Sequence, residues 1–107
     1  MTDDAVMADI VVPATHPSLS GHFPGNPVVP AVVLLDEILA AIRTRGDFEL
    51  RSIPSAKFLL PVRPDERIAL SVHFTADSTL WRARFQGLRD SALVFEGSFV
   101  IAAQSAT

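Results

Sequence analysis

One histidine, His22, lies in a loop stiffened by glycine and proline, GHFPGNPVVP, and fourteen residues later the chain carries Asp36 and then Glu37 within a run of Val, Leu and Ile. An imidazole has an unperturbed pKa near ~6.5, so His22 can be neutral and basic at physiological pH. An aspartic carboxyl starts near ~3.9, and an apolar helix should raise it by desolvation, making a protonated acid available. An imidazole and a carboxyl of this kind form an acid/base pair. Periodicity does not choose between Asp36 and Glu37, because both neighbour apolar residues three and four positions away. A third group needs no side chain. The first N–H groups of the helix, around Ala31, have no intrahelical partner and stand at the positive end of its dipole, ready to polarise a carbonyl oxygen.

Those groups need elements to hold them. Residues 14–29 carry Pro and Gly at positions 17, 21, 24, 25 and 27, which forbids regular structure, and a loop of that length in a small domain is usually functional. Pro30 suits the first turn of a helix predicted over 30–44, with Arg43 and Arg45 at its negative end and Gly46 as a stop. Val32, Val33, Leu34, Leu35, Ile38, Leu39 and Ile42 wrap nearly the whole circumference, which predicts a helix enclosed by protein. Strands are expected at 5–12, 48–53, 56–60, 67–75, 80–87 and 92–102. The last three alternate cleanly, with Ile68, Leu70, Val72 and Phe74 on one face, and form an antiparallel meander. The fold class is therefore α+β, a hotdog: an antiparallel sheet of about five or six strands wrapped around one long central apolar helix.

Composition bounds the rest. The chain has 107 residues, 49% hydrophobic and 20% charged, enough for one domain over 1–107. A mean hydropathy of +0.32 is high for a chain this small and predicts a homodimer or a higher homo-oligomer. The net charge of −3 argues against nucleic acid as a partner. No apolar stretch is long enough for a membrane span, and the acidic N-terminus is unlike a signal peptide, so the expected location is cytoplasmic. Without cysteine there are neither disulfides nor thiolate metal sites, and His16, His22 and His73 show no zinc-like spacing. His16 reads as a loop-shaping residue, His73 as exposed, and Trp81 as packing.

The segment HPSLSGHFPGNPVVPAVVLLDEILAA resembles the active-site segment of the β-hydroxyacyl-(acyl carrier protein) dehydratases, the FabA/FabZ group of hotdog proteins. It is most similar to the short ApeI-like dehydratases of aryl-polyene clusters, which share a GHFPGNPVVP-like loop. AKFLLPVRPDE, from Ala56 to Glu66, resembles the family's K-F-x-x-P-V-x-P-G-D strand and turn. The resemblance implies a (3R)-3-hydroxyacyl thioester as substrate, acyl carrier protein as partner, no cofactor, and a trans-2-enoyl product of the fatty-acid or polyketide type. It implies that His22 is the base taking the C2 proton, and its spacing selects Asp36 as the acid helping the C3 hydroxyl leave, the two meeting across a dimer interface. Phe23, Gly25, Pro30 and Ala31 then shape the substrate site, with the Ala31 amide as donor to the thioester oxygen, and Lys57 and Arg63 dock the carrier. Arg51, Arg43 and Arg45 are further docking candidates, although solvated surface charge explains them equally well.

Four positions depart from the family pattern. Ala31 replaces a glycine, Ala40 a glutamine one turn after the carboxylate, and Leu59 and Leu60 replace basic residues. Two rival expectations therefore stand beside the dehydratase: a hotdog thioesterase using the same helix end with a carboxylate-activated water, and a catalytically silent acyl-carrier-binding homologue.

Overall fold

Alternating apolar residues on four segments produce one curved sheet, and a fifth strand closes its far edge. The structure, a computed structural model, describes residues 5–19 and 28–104. Strand β1 is Ala5–Ile10, helix α1 is Ala31–Ile42, β2 is Phe48–Phe58, β3 is Ile68–Asp77, β4 is Leu80–Arg89 and β5 is Ala92–Ala103. The sheet is antiparallel throughout, in the order β1-β3-β4-β5-β2. Register carries the core across it: Val6 faces Val72, Val72 faces Phe85, and Phe85 faces Gly97. The α+β hotdog arrangement expected from the sequence is thus present, with five strands.

Two of the expected strands are one. Segments 48–53 and 56–60 form the single strand β2, which runs through Pro54. A proline is tolerated because β2 is an edge strand with only β5 beside it, and the ladder slips between Leu50 and Ser55 where the proline sits.

The helix also departs from expectation. It begins at Ala31 with Pro30 as N-cap, runs twelve residues, and continues through a 3-10 turn over Arg43–Arg45 to Gly46, whose φ of 157° ends it. It is short. Nor is it enclosed: Val33, Leu34, Ile38 and Ile42 are buried against the sheet, whereas Val32 is 63% exposed and Asp36 and Ala40 face outward with it. Those three lie four residues apart, one stripe along the helix. Val32, the apolar residue at the head of this stripe, is therefore left largely in solvent. Arg43 and Arg45 are fasteners rather than loose charges. Arg43 Nε donates to the Phe48 carbonyl at 3.3 Å and Arg45 Nη2 donates to the Ala5 carbonyl, tying the helix end to β2 and β1.

Rings pack where glycines make room. Phe58, Phe95, Phe85 and Phe99 form a chain of tilted aromatic contacts with centroid separations of 6.0, 6.1 and 5.1 Å. A Cβ on Gly97 would stand 2.3 Å from the Ser55 carbonyl oxygen and 2.6 Å from the Phe85 ring; one on Gly87 would lie 2.4 Å from the Phe95 ring. Both glycines therefore set how closely the aromatic layer and β2 approach the sheet.

The β4–β5 hairpin turns on Asp90 and Ser91, at φ 49° and 70°, as a two-residue turn with both central residues left-handed. Just before it, Arg89 clamps the segment that follows β2. Its Nη1 donates to the Pro61 carbonyl at 2.9 Å and to Glu66 Oε1 at 2.8 Å, while the same Glu66 oxygen accepts the Arg63 N–H at 2.7 Å. The Arg89–Glu66 pair is mostly withdrawn from water, with side chains 24% and 29% exposed.

Gly97→Ala is expected to destabilise the fold by about 1–3 kcal/mol, because the nearest obstacle is backbone that cannot rotate away. Urea denaturation measures it. Arg89→Met should cost about 1–2 kcal/mol in the same experiment, through the orphaned Glu66 and Pro61 acceptors, and should raise amide exchange in the segment after β2.

Candidate functional site

The sequence after β2 returns toward the start of α1, because Val62 is buried and its carbonyl accepts the Val29 N–H at 2.7 Å. Between the two segments lies an apolar groove of about 410 Å³. One wall is Val28, Val29, Pro30, Ala31 and Leu34; the other is Phe58, Leu59, Leu60, Pro61 and Val62. Leu59 and Leu60 are 50% and 39% exposed, so the groove's outer lip is greasy where a basic residue would have made it charged. Their own amides are fixed, both donating to the Val94 carbonyl at 2.7 and 3.2 Å.

At the inner end of the groove the helix starts without a side-chain cap. Pro30 has the extended conformation of an N-cap, φ −62° and ψ 146°, but no oxygen to offer, and its carbonyl accepts from Val33 and Leu34. The amides of Ala31 and Val32 are left with no acceptor among the described residues. Ala31, at the positive helix end, lines the apolar cleft while Val32 does not, and a free N–H in that setting favours a carbonyl oxygen taking up negative charge.

Of the residues singled out from sequence, Pro30 and Ala31 line this groove. His22, Phe23 and Gly25 lie outside the described residues. Asp36 is not among the groove's lining residues, and in this chain it is exposed while Glu37 is half-buried. That corrects the expectation of a carboxyl sequestered by its own helix: the sheet covers the opposite side of α1, so removal of Asp36 from water requires a second surface. Lys57 and Arg63 fall on different surfaces. Lys57 is on the outer face of β2, and Arg63 is in the segment held by Glu66. Arg51 is exposed and paired with Glu49 at 2.6 Å. His73 is exposed, Trp81 is half-buried against the core, and the His16 N–H donates to the Pro13 carbonyl at 2.9 Å, shaping the loop as expected.

The residues that sequence reading missed are Phe58, Val28 and Val29. Only their neighbourhood to the helix start in space marks them, and no spacing rule carries that. Among the described residues no three His, Asp or Glu side chains gather as metal ligands, and no helix is long and apolar enough to cross a membrane.

Comparison with known proteins agrees with this geometry. A 3-hydroxyacyl-[acyl-carrier-protein] dehydratase FabZ of Anaeromyxobacter sp. (strain Fw109-5) is 33% identical over 103 residues, 83% of this chain and 65% of the relative. The chain therefore spans just under two thirds of that relative's length. Among solved structures, the dehydratase heterocomplex ApeI:P from Xenorhabdus doucetiae superposes with a TM-score of 0.75 at 20% identity, over 94% of this chain and 89% of that one. The (R)-hydratase from A. caviae involved in PHA biosynthesis gives 0.79 at 16% identity, over 97% of both. At such identities these two show a shared fold. The family model described as ApeI dehydratase matches residues 1–97, so the chain belongs to the ApeI-like dehydratase family.

Proposed function

We propose that this chain, as one hotdog domain over 1–107, removes water from a (3R)-3-hydroxyacyl thioester on an acyl carrier protein, giving the trans-2-enoyl thioester, in fatty-acid or polyketide synthesis. The observation that supports it most is the apolar groove ending at Ala31, whose amide has no acceptor among the described residues. A thioester oxygen seated there would be polarised as its C2 proton becomes acidic. His22 takes that proton, the C2–H electrons form the C2=C3 double bond, and the C3–O bond breaks. Asp36 gives its proton to the departing hydroxide, which leaves as water. Every atom is accounted for without a cofactor. Phe23 and Gly25 complete the wall of the site, and Lys57 and Arg63 hold the acidic carrier.

In this reading the working form is a homodimer. The uncovered stripe Val32–Asp36–Ala40 and the open edge of β2 are the two surfaces that support it. A second copy over the stripe would withdraw Asp36 from water and bring the other chain's His22 loop toward it.

The test is to incubate the protein with 3-hydroxyacyl and saturated acyl thioesters on acyl carrier protein and to follow enoyl product and free thiol separately. Enoyl product without free thiol is expected, with His22→Ala and Asp36→Asn each lowering the rate by ~10²–10⁴-fold and Glu37→Gln leaving it near the parent. Free thiol alone would make the protein a thioesterase, and neither product a silent carrier-binding homologue. Val32→Asp should separate the dimer in sedimentation velocity and abolish turnover while the far-UV spectrum is retained, because Val32 is largely exposed in the single chain.

A further inference from the structure

The opposite face of the sheet holds a second cavity, away from the reacting groups, that shares only Lys57 with the residues proposed to hold the carrier. It is an open groove of about 530 Å³, larger than the one at the helix start. Its shape follows from register. One row across the sheet reads His73, Arg84, Ser98, Ser55, so two small hydroxyl residues form a floor beside two long side chains. The next row places Gln86 opposite Glu96 and Glu96 opposite Lys57. Arg82 lies two residues before Arg84 on the same face of β4, roughly 7 Å away.

Three features set this surface apart from an ordinary solvated strand face. In a chain of net charge −3, three cations meet a single carboxylate, Glu96. Among the described residues no ion pair or hydrogen bond engages the side chains of Lys57, Arg82, Arg84 or Glu96, although neighbouring like charges on a strand repel. Ser98, 7% exposed as a residue, lines the floor, and its hydroxyl has no hydrogen-bond partner among the described residues. That hydroxyl reaches the solvent of the groove beside the guanidinium groups, a grouping that can meet an oxyanion.

We infer that this outer groove binds a phosphate ester of nucleotide size, its phosphate held by Arg82, Arg84 and the Ser98 hydroxyl and its hydrogen-bond-donating body set against Glu96 and Gln86. Guanidinium groups on one strand face match an oxyanion better than a thioester, which has no charge to offer. The volume suits a small molecule rather than a phosphate alone. Glu96 selects for a ligand with donor groups at its far end and against one that is anionic throughout.

The full chain would be titrated with inorganic pyrophosphate and with adenosine 5′-diphosphate at about 0.15 M salt, where bare surface attraction is largely screened, and followed by amide chemical shifts. Saturable shifts confined to the strands around His73, Arg84, Ser98 and Ser55 are expected, with the nucleotide binding more tightly than pyrophosphate. Arg84→Gln and Arg82→Gln, both surface changes, should each weaken binding about fivefold or more. Arg67→Gln, an exposed arginine on the Asp9 side of the sheet, should leave it unchanged. Glu96→Gln should strengthen pyrophosphate binding while narrowing the nucleotide's advantage. Failure to saturate below about 10 mM, shifts spread over the whole surface, or binding indifferent to both arginines would overturn the site. Equal affinity for pyrophosphate and nucleotide would overturn the assignment of the ligand's body.

Discussion

Most of this structure depends on how closely β2 can lie against β5. At Gly97 the Ser55 carbonyl, the Ala56 Cα and the Phe85 ring all occupy space where another residue would carry its Cβ. That closeness lets the aromatic chain from Phe58 through Phe95 and Phe85 to Phe99 run unbroken under the helix, each tilted pair adding about 0.5–1.5 kcal/mol beyond its buried area. Because β2 is held there, the chain leaving Phe58 emerges beside the start of α1 and becomes one wall of the apolar groove. The same strand, read on its other face, supplies Ser55 and Lys57 to the outer cavity. One backbone contact therefore locates both surfaces.

The groove itself needs a second restraint, since Leu59 and Leu60 are half in water and would not hold their place by burial. Three groups supply it. The Val94 carbonyl receives both leucine amides, the Val62 carbonyl receives Val29, and Arg89 reaches from the β4–β5 hairpin to Pro61 and Glu66. The wall is thus fixed through its backbone, which leaves its apolar side chains free to face a ligand. On the opposite wall the helix start is open because proline precedes it: a serine or aspartate at position 30 would cap the amides that the cleft presents. Ala31 keeps its N–H and is itself one of the groove's lining residues.

Much of this architecture was legible in the sequence, and the failures have common causes. Period-two alternation located β3, β4 and β5, because each has one face in the core and one in solvent; Gly46 marked the helix end through its unusual φ. Pro54 was misleading, since a proline breaks a central strand but not an edge strand, and edge or centre is a property of the sheet. The helix misled in another way. Hydrophobicity around nearly its whole circumference predicted cover on every side, and here Val32 and Asp36 are left exposed. The outer cavity was invisible for a third reason: Arg84, Ser98 and Ser55 belong to three strands, and only cross-strand register sets them in one row. His22 lies outside the described residues, and its meeting with Asp36 is what the family resemblance implies.

The two cavities lie on opposite faces of one sheet, and their chemistry divides what each can hold. The inner groove offers apolar walls and a backbone donor, with no side-chain cation among its described lining residues. It suits a neutral chain whose one polar atom is an acceptor, and a phosphate there would lose water without gaining a counter-charge. The outer groove offers guanidinium groups and hydroxyls over a short apolar lining, so an acyl chain would find little to cover it. A carrier-bound substrate has both parts, a neutral acyl thioester and a phosphate at the root of its arm. The alternation of Lys57 outward and Phe58 inward puts the sheet between the two cavities, however, so one short ligand cannot occupy both within a single chain. The anion accepted by Arg82 and Arg84 is accordingly a separate molecule, and the charge of a ligand alone determines which face it meets.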